Sequence, residues 1–377
     1  MKQRVIDAYQ KRFGAAPAVV TRAPGRLEIL GNHTDYNEGT VLSVAVDRAM
    51  TIAAGKAAAG TVCGLFDDIV SSSRSFDISA IGPAAKGDWS NYIKGIVLEF
   101  RKRGYDVPAF NAVLAGTVPL SAGMSSSAAL EMAMVKALEA LMGVELGWIE
   151  EARVGQAAEN NYVGAKTGLL DQVSSLRGKA GQLVCSDFRS MDVCNVPMPA
   201  GTAFVVANCM VKHNLTNEYN VRREACEDAA RTLGVKALRD VSMDELLKAK
   251  SRLKPESYRR ALHVVGEIDR VARGSAALAA GDIEAFGQIM FESHQSSIEN
   301  FENSIPELDT LVDIGRTLPG ALGARLSGGG FGGITVHLVR EESAEQYLAE
   351  LVRIYEAKTG IKAQAMICQA ADGAMLI

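Results

Sequence analysis

Residues 116–143 read GTVPLSAGMSSSAALEMAMVKALEALMG. The stretch begins with the end of a short apolar segment, continues through a turn of small residues and finishes in a long apolar run. The apolar run predicts a helix over 127–142, with Leu130, Val135 and Leu138 facing a core. Small side chains before a helix let backbone N–H groups point at a ligand, and the helix start adds the positive end of its dipole. The stretch therefore favours phosphate binding, with an ordinary serine N-cap as the alternative. No lysine stands beside the serines, where a Walker loop requires one.

Strands and helices are predicted on both sides of this stretch in an irregular order. Because the order has no regular strand–helix–strand repeat, it favours an α+β fold over a doubly wound sheet. Two prolines and a glycine in residues 191–201 indicate a boundary near residue 198, which gives domains 1–198 and 199–377. Further helices are predicted at the amphipathic N-terminus, through Val5, Ala8, Tyr9 and Phe13, and over 148–162, 219–233, 243–252, 256–280 and 282–298. Strands are predicted at AVVTRA (18–23), TVLSVAV (40–46), NAVLAGTV (111–118), QLVCSDF (182–188), AFVVANC (203–209) and ITVHLV (334–339).

The composition excludes several classes of protein. Hydrophobic residues make up 48% and charged residues 22% of the 377 residues, an ordinary balance for a soluble enzyme. A net charge of −4 with scattered Lys and Arg gives no general attraction to nucleic acid or anionic membranes. Six sparse cysteines without a CxxC pair favour reduced thiols over a disulfide framework or a zinc ribbon. With no signal-peptide core and no membrane-length apolar run, we expect a cytoplasmic protein, monomeric or weakly homo-oligomeric, without nucleic-acid or membrane partners.

A second polar segment lies upstream, where GNHTDYNEG (31–39) follows an apolar run. A polar turn between strands accounts for the Asn, Glu and Gly at its end, because these are turn formers. It does not account for His33, Asp35 and Arg26 within ten residues of one another. Several hydrogen-bonding groups on a short loop are what recognition of a polyhydroxylated ligand requires, since each hydroxyl pairs with a placed group. The segment is therefore a candidate sugar site, with the turn as the alternative.

Two later segments offer less specific signals. LSGGGFGG (326–333) matches GxGxxG, but a strand is predicted next, whereas a dinucleotide fingerprint opens a helix. We interpret the segment as a strained turn or as a second backbone segment closing over phosphates. In residues 155–176, Glu159 and Asp171 are spaced so that they could hold Mg²⁺ and act on a hydroxyl. Their spacing alone fits two solvated acids equally well.

Taken together and in this order, the segments resemble the GHMP kinases and, within that group, the galactokinase family. The resemblance is carried by APGRLEILGNHTDYNEG, VPLSAGMSSSAALE and GARLSGGGFGG and continues through WSNYIKG, AENNYVGAKTGLLDQ, NEYNVRREAC and RRALHVVGEIDRV. It implies a ribosomal-S5-like α+β domain packed on a C-terminal ferredoxin-like domain, with the active site between them. The implied reaction is phosphorylation by ATP of the anomeric hydroxyl of galactose, with Mg²⁺ as the metal.

The resemblance also implies roles for individual residues. Asp171 matches a catalytic aspartate and Arg26 an arginine that stabilises charge during transfer. Whether Asp171 takes the proton early or mainly orients the hydroxyl is left open. Trp89 matches an aromatic near adenine, Ser73 a further nucleotide contact, and Ser127 with Glu159 the Mg²⁺ ligands. The implied sugar contacts are Asn32, His33, Thr34, Asp35, Gly168 and Tyr219, and the implied phosphate loop is Ser121, Ala122, Gly123, Met124, Ser125, Ser126 and Ser127.

One residue departs from the pattern of the resembled family. Galactokinases usually read GEHTDY, whereas this chain reads GNHTDY, with Asn32 in place of the Glu that contacts the C6 hydroxyl. Either Asn32 accepts from the same hydroxyl, or a site without that charge admits another galactose-type sugar, such as galacturonate or N-acetylgalactosamine. Because His33, Asp35 and Tyr219 keep the galactose pattern, we predict galactose. A non-catalytic sensor of sugar and ATP is the alternative from a different class.

Overall fold

The computed structural model describes residues 1–119, 123–211 and 215–377. Two β-sheets form its framework, and helices cover them, as the predicted α+β class requires. The strands in the described ranges are β1 (Val19–Leu30), β2 (Thr40–Lys56), β3 (Val62–Asp67), β4 (Ser72–Asp77), β5 (Phe110–Gly116), β6 (Gln182–Asp187), β7 (Val193–Pro197), β8 (Thr202–Asn208), β9 (Ala321–Ser327), β10 (Ile334–Arg340), β11 (Gln364–Cys368) and β12 (Met375–Leu376).

The helices lie mostly where apolar residues recur at helical spacing. Two of them continue into a π-helical turn, at Glu159–Val163 and Ser297–Phe301. None of the helices in the described ranges has the length and apolarity that crossing a bilayer requires. The α-helices of the described ranges are α1 (Lys2–Phe13), α2 (Ser90–Lys102), α3 (Ser126–Met142), α4 (Trp148–Ala158), α5 (Leu170–Arg177), α6 (Leu215–Leu233), α7 (Met243–Lys248), α8 (Pro255–Ala280), α9 (Ile283–Ser296), α10 (Pro306–Thr317) and α11 (Ala344–Thr359).

The first sheet has eight strands, of which six run in the order β12-β1-β2-β5-β3-β4, while β6 pairs with β2 and β7 with β6. Its long central pair, β1 and β2, is antiparallel and has register shifts between Pro24 and Arg26 and between Glu28 and Leu30. Such bulges bend a strand and re-aim its side chains. The two shifts flank Arg26 and Glu28, which both line a cavity at this end of the strand.

Helix α3 packs on β1 and β2. It is apolar almost all round, because its Ala, Leu, Met and Val residues are buried on every side. A helix of this kind cannot be moved without opening the core. The turn that leads into α3 is therefore held in a fixed place relative to β1.

The second sheet has four antiparallel strands in the order β11-β8-β10-β9. Buried residues of this sheet pack with α10 and α11, and Leu308, Leu311 and Tyr355 belong to that core. β9 and β10 form a hairpin whose turn is the glycine-rich segment 328–333. The interpretation of this segment as a turn between strands is confirmed.

The two sheets share one core, and the chain crosses between them twice. Val271 and Phe286, from the second half of the chain, pack in the same cluster as Leu30 of β1. The last strand, β12, pairs with β1 through Thr21 and Leu376. The predicted boundary at residue 198 lies between β7 and β8, but β12 returns to the first sheet, so the division into 1–198 and 199–377 stays a prediction.

Candidate active site

Three neighbouring cavities surround the serine turn, and two of them, the polar and serine cavities, lie between the first and second halves of the chain. The polar cavity, of about 330 Å³, contains Arg26, Asp35 and Asp171 in its lining. The serine cavity, of about 270 Å³, is lined by Ser125, Ser126, Ser127 and again by Arg26. The tryptophan cavity, of about 730 Å³, is lined by Trp89 and also by Ser126 and Ser127. Because neighbouring cavities share lining residues, they form one continuous cleft with the serine turn in the middle.

Asp171 lies at the junction of the polar and serine cavities. One carboxylate oxygen, Oδ1, accepts a hydrogen bond from Arg26 Nε at 2.7 Å and lies 2.7 Å from Arg26 Nη2. The other, Oδ2, accepts from the Ser125 hydroxyl. Arg26 also donates from Nη1 to the carbonyl of Gly123 at 2.6 Å. The strand, the serine turn and the helix that carries Asp171 are thus fastened together at one carboxylate.

The serine turn is not an ordinary N-cap. Ser125 occupies the N-cap position of α3 in the left-handed region, with φ 51°, and its side chain caps no backbone N–H. Its hydroxyl goes to Asp171 instead. The first N–H groups of α3 are therefore available to an anion in the serine cavity, at the positive end of a 17-residue helix. This arrangement favours the phosphate interpretation of the turn over the capping one. Ser121 and Ala122, also predicted to bind phosphate, lie outside the described residues.

The glycine segment closes the cleft from the second sheet. The carbonyl of Gly328 accepts from Asn32 Nδ2 at 2.9 Å, and that of Gly329 accepts from Asn303 Nδ2 at 3.2 Å. A Cβ on Gly330 would lie 2.2 Å from the carbonyl oxygen of Asn303, so no side chain fits there. Gly328 and Gly329 line both the polar and the serine cavity.

His33 lies in an aromatic cluster beside the polar cavity. Its ring centroid is 5.1 Å from that of Tyr219 and 4.4 Å from that of Phe301. Burial lowers the pKa of His33 to about 3, so the ring is neutral. A neutral ring with Nε2–H donating to the Gly329 carbonyl at 3.2 Å would accept from the Tyr36 hydroxyl at Nδ1, at 2.9 Å. Both nitrogens are then occupied, and His33 offers the cavity an aromatic surface.

Asp35 and Gly168 face each other across the polar cavity. A Cβ on Gly168 would lie 1.6 Å from Asp35 Oδ2, so the glycine makes room for the carboxylate. Burial, with a smaller contribution from the nearby carboxylates of Glu28 and Asp171, raises the pKa of Asp35 to about 7 against the lowering effect of a hydrogen bond from the Tyr36 backbone. Asp35 is thus an acceptor whose charge a hydroxylated ligand would stabilise.

Glu159 lies on the far side of Asp171, in the first π-helical turn. It is 4% exposed and accepts from Thr167 at 2.8 Å and from Gln172 at 3.2 Å. Burial raises the pKa of Glu159, the charge of Asp171 raises it further, and the hydroxyl of Ser127 donates to it and lowers it. The described residues contain no group of three or more His, Cys, Asp or Glu arranged to hold a metal. Ser127 and Glu159 nevertheless bring two oxygen donors together in a negatively charged place, which suits a hard divalent cation.

Comparisons with known proteins agree with this geometry. Three family models match: the galactokinase galactose-binding signature over residues 7–56, the GHMP kinases N-terminal domain over 91–179 and the GHMP kinases C-terminal domain over 275–357. A galactokinase of Roseiflexus sp. (strain RS-1) is 39% identical over 376 residues, covering 97% of this chain and 95% of the relative. The chain belongs to the galactokinase family.

Other galactokinases and GHMP-type structures support the assignment. A galactokinase of Actinobacillus pleuropneumoniae serotype 5b (strain L20) is 37% identical and covers 100% of this chain and 99% of the relative. The crystal structure of Lactococcus lactis galactokinase complexed with galactose superposes with a TM-score of 0.94 at 27% identity, covering 98% of each chain. A mevalonate kinase structure shares the fold, with a TM-score of 0.66 at 18% identity over 94% of this chain and all of the other. The predicted family, the GHMP architecture and the kinase class are confirmed.

Two residues predicted from the galactokinase resemblance are not brought to the cleft. Thr34 is fully buried, and its hydroxyl bonds to the carbonyls of Gly31 at 2.8 Å and Thr40 at 2.7 Å. It closes the polar loop and offers nothing to a ligand. Ser73 lies on the opposite face of β4 from the tryptophan cavity and accepts from Arg12, because neighbouring residues of a strand point to opposite faces. Its neighbour Ser72 accepts from Trp89 Nε1 at 3.4 Å.

The remaining predicted residues in the described ranges of this galactokinase-family chain line the cleft, except for Met124 and Glu159. Asn32, His33, Asp35, Gly168 and Tyr219 line the polar cavity. Gly123, Ser125, Ser126 and Ser127 line the serine cavity, and Trp89 lines the tryptophan cavity. Met124 is fully buried, and its carbonyl accepts from the backbone N–H of Arg26 at 3.1 Å. Met124 therefore anchors the serine turn to β1 through this backbone bond and does not face the cleft.

Sequence reasoning missed a buried polar network beneath the galactokinase sugar signature. Glu28, Arg325 and Asn303 are all buried there, and Glu28 pairs with Arg325 at 3.2 Å. A charged residue within an otherwise apolar strand was an available signal for Glu28, because buried charges are rare unless paired. The partners come from positions nearly 300 residues away in sequence, and no local pattern points to them.

Proposed function

We propose that the protein transfers the γ-phosphoryl group of ATP to the anomeric hydroxyl of galactose, giving galactose 1-phosphate and ADP. The relatives named above are galactokinases, and the Lactococcus lactis enzyme was solved with galactose. The observation that carries the proposal is the position of Asp171, where the polar cavity meets the serine cavity. A sugar in the first cavity and a phosphate in the second would meet at this carboxylate.

Asp171 and Arg26 would act on the two reacting groups. Phosphoryl transfer depends on in-line positioning and on neutralising charge more than on covalent chemistry. Asp171 Oδ2, which accepts from Ser125 in the structure, would accept from the anomeric hydroxyl and orient its oxygen towards the phosphorus. As the new O–P bond forms, the bond between the γ-phosphorus and the bridging oxygen of ATP would break, ADP would leave, and the hydroxyl proton would pass to Asp171 Oδ2. Arg26, held by Asp171 and the Gly123 carbonyl, would place its positive charge beside the transferring group.

ATP would lie along the serine and tryptophan cavities. Its phosphates would receive hydrogen bonds from the uncapped N–H groups at the start of α3. Its adenine would enter the larger cavity beside Trp89, which is fixed by its bond to Ser72. This order places the γ-phosphate nearest to Arg26 and Asp171.

Mg²⁺ would be held by Ser127 and Glu159 together with the phosphates. The side chains present fit this ion, since both donors are oxygens and the carboxylate is buried next to Asp171. When bound, Mg²⁺ supplies neutralisation of the charge on the β- and γ-phosphates. Thr167 and Gln172, which donate to Glu159, would fix the carboxylate for this purpose.

Galactose would fill the polar cavity. Asp35 would accept from ring hydroxyls, and its rise in pKa through burial means that such donors stabilise its charged form. Gly168 would leave the space that Asp35 occupies. His33 and Tyr219 would cover an apolar face of the sugar.

An ADP-release assay on purified protein tests the proposal. We expect ADP release with ATP, Mg²⁺ and galactose, and a 1-phosphate product by phosphorus NMR. Glucose should be a poor substrate, because an epimer leaves a placed polar group unpaired. No ADP release with galactose, together with binding of both ligands by calorimetry, would replace the kinase proposal with that of a sensor.

The proposal also covers the cellular location, the domain division and the oligomeric state of the protein. We infer a cytoplasmic enzyme with domains 1–198 and 199–377 that works as a monomer or a weak homo-oligomer. Light scattering of the purified protein over a concentration series checks the oligomeric state.

A further inference from the structure

A carboxylate on Glu28 lies at the floor of the polar cavity, and the roles proposed above do not use it. Glu28 is 3% exposed and lines the cavity. Its Oε1 accepts from Asn32 Nδ2 at 2.7 Å and from both terminal nitrogens of Arg325 at 3.2 Å. Among the described residues, no donor bonds to the second oxygen, Oε2. Because Glu28 lines the cavity and this oxygen has no donor from the described residues, it is an open acceptor for whatever fills the cavity.

Asn32, in contrast, has no donor to spare. Its Nδ2 donates to Glu28 Oε1 and to the Gly328 carbonyl, which uses both hydrogens. Its Oδ1 accepts from Asn303 Nδ2 at 3.0 Å. The amide cannot be reversed, because its oxygen would then face the two acceptors on Glu28 and Gly328. Asn32 therefore holds Glu28 in place and cannot donate to a ligand without losing a bond.

The position of Glu28 along β1 suits the far end of a hexose. Arg26 and Glu28 are two residues apart, so both side chains leave the same face of the strand, roughly 6.6 Å apart. Arg26 bonds Asp171 at the reacting end of the proposed site. Glu28 is consequently displaced by about one sugar ring from the anomeric hydroxyl.

The charges around the cavity disfavour an anionic substituent at this point. Among the residues that the structure describes, the cationic side chains that line the cavity are Arg26, which is paired with Asp171, and Lys166, which is exposed. Arg325 is fully buried, and its terminal nitrogens are both bonded to Glu28. A second carboxylate beside Glu28 would thus meet a like charge in a poorly hydrated place.

We propose that Glu28 is the specificity-determining residue for the sugar substituent remote from the anomeric centre. Its Oε2 accepts a hydrogen bond from a neutral hydroxyl and excludes a carboxylate there, while Asn32 positions Glu28. This inference rests on the proposed sugar kinase function and deepens it. Galactokinases usually carry a Glu at position 32, just after β1 ends, whereas here the acid stands four residues earlier, within β1. The galacturonate alternative left open by Asn32 is disfavoured on this geometry.

The first test compares two sugars of equal shape on the wild-type enzyme. Galacturonamide and galacturonate differ in charge at C6 but hardly in size. We expect kcat/KM for the amide to exceed that for the acid by at least about tenfold, because the amide can donate to Glu28 and carries no charge. Equal values for the two compounds would overturn the proposal. Galactose is measured in parallel, and a lack of turnover with galactose would refute the kinase function itself, which is a separate outcome.

The second test removes the charge of Glu28. In Glu28→Gln, we expect kcat/KM for galactose to fall by about tenfold or more, the KM for ATP to stay within about twofold, and the amide-to-acid ratio to approach one. Glu99→Gln on α2 is the matched control, since it removes a buried charge paired with Arg103 that does not line the cavity or contact the sugar loop. Its amide-to-acid ratio should stay at the wild-type value. A folded Glu28→Gln enzyme with an unchanged ratio would disprove the role, and if that variant does not fold, the wild-type comparison decides alone.

Discussion

Substitutions of Asp171 test the proposed catalytic mechanism most directly. Its carboxylate accepts from Arg26 and Ser125, so it fastens three segments as well as facing the reacting hydroxyl. A structural role and a catalytic role can be separated, because the nucleotide would be bound mainly by α3 and the tryptophan cavity, away from this carboxylate.

Replacing Asp171 by Asn or Ala should abolish turnover and leave ATP binding largely intact. The Asn variant keeps the shape but loses the charge, and we expect kcat to fall by about 10²–10⁴-fold. Isothermal calorimetry of the folded variants with ATP provides the second measurement. A large loss of ATP affinity would show that Asp171 mainly holds the nucleotide side of the cleft.

Asp35 predicts the pH dependence of sugar binding. Its pKa is about 7 in the free enzyme, because burial favours the neutral carboxyl group. If the ionised form binds the sugar, the KM for galactose should fall by about tenfold between pH 6 and 8 and then level off. The dependence runs in this direction because the charged form, present above the pKa, is the better acceptor.

Initial rates over a pH series check this expectation. Asp35→Asn cannot titrate, so its KM should be higher and almost independent of pH. A wild-type profile that is flat between pH 6 and 8, at a constant state of folding, would contradict the assignment.

At the scale of elements, the first residue before α3, Ser125, has a strained backbone conformation and also contacts the proposed catalytic residue. Ser125 has φ 51°, a conformation that glycine adopts without penalty, yet its hydroxyl bonds Asp171. Ser125→Gly should therefore keep or raise stability by up to about 1 kcal/mol while lowering kcat. Thermal unfolding and initial rates are the two measurements.

Ser71→Gly is the matched control for the expected gain in stability and loss of activity in Ser125→Gly. Ser71 has φ 52°, lies exposed in the turn between β3 and β4, and lines none of the three cavities. It should gain similar stability with unchanged activity. Full activity in Ser125→Gly would mean that the bond to Asp171 is dispensable.

Several long elements could be predicted from sequence, but the helices α2, α10 and α11 were missed, as were the short edge strands. Helix α3 and strand β10 were evident, because their apolar spacing continues over several turns or pairs. The edge strand β4, SSRSFD, has no apolar pattern, since its first four residues are polar and mostly exposed. The N-terminal part of β1 was predicted, but its charged Glu28 was overlooked, because its partner Arg325 comes from β9.

In the candidate site, too, some residues could be predicted from sequence and others could not. The polar loop and the serine turn carry their chemistry in consecutive residues, so sequence identified them. Thr34 belongs to the same loop, but the direction of a side chain depends on φ and ψ values that composition does not reveal. Ser73 and Ser72 differ only by the alternation of one strand, which required its register to be known.

At the scale of the whole molecule, Glu267 joins the second half of the chain to the sugar loop. It is fully buried on α8, and its Oε2 accepts from the backbone N–H groups of Gly31 and Asn32 at 2.9 Å each. Its Oε1 accepts from Arg270 at 2.5 Å. Burial opposes ionisation, but the charge of Arg270 and further positive neighbours hold the pKa of Glu267 well below its usual range.

Glu267→Gln should lower the free energy of unfolding by about 1–3 kcal/mol at pH 7. Because the folded pKa lies below the unfolded one, the charge contributes fully above about pH 4.3 and is lost progressively as the pH falls below it. The stability gap between wild type and variant should thus be constant from pH 8 to 5 and narrow in acid. Denaturant unfolding at several pH values measures it.

The control for this prediction is Glu350→Gln on α11, which removes an exposed acid paired with Arg353. Its midpoint of unfolding should match that of the wild type at neutral pH, since exposed pairs contribute little. A stability gap for Glu267→Gln that widens below pH 4 would contradict the ionised state of this carboxylate.

The return of β12 to β1 has a consequence for biosynthesis. The first sheet receives its edge strand from residues 375–376, the penultimate residues of a 377-residue chain. At ordinary elongation rates a ribosome needs roughly 20–75 s to reach them. During that time the outer edge of β1 lacks its hydrogen-bonded partner β12. This part of β1 therefore stays open to edge-to-edge pairing until residues 375–376 have been made and have docked, and a variant lacking those residues would leave it uncovered.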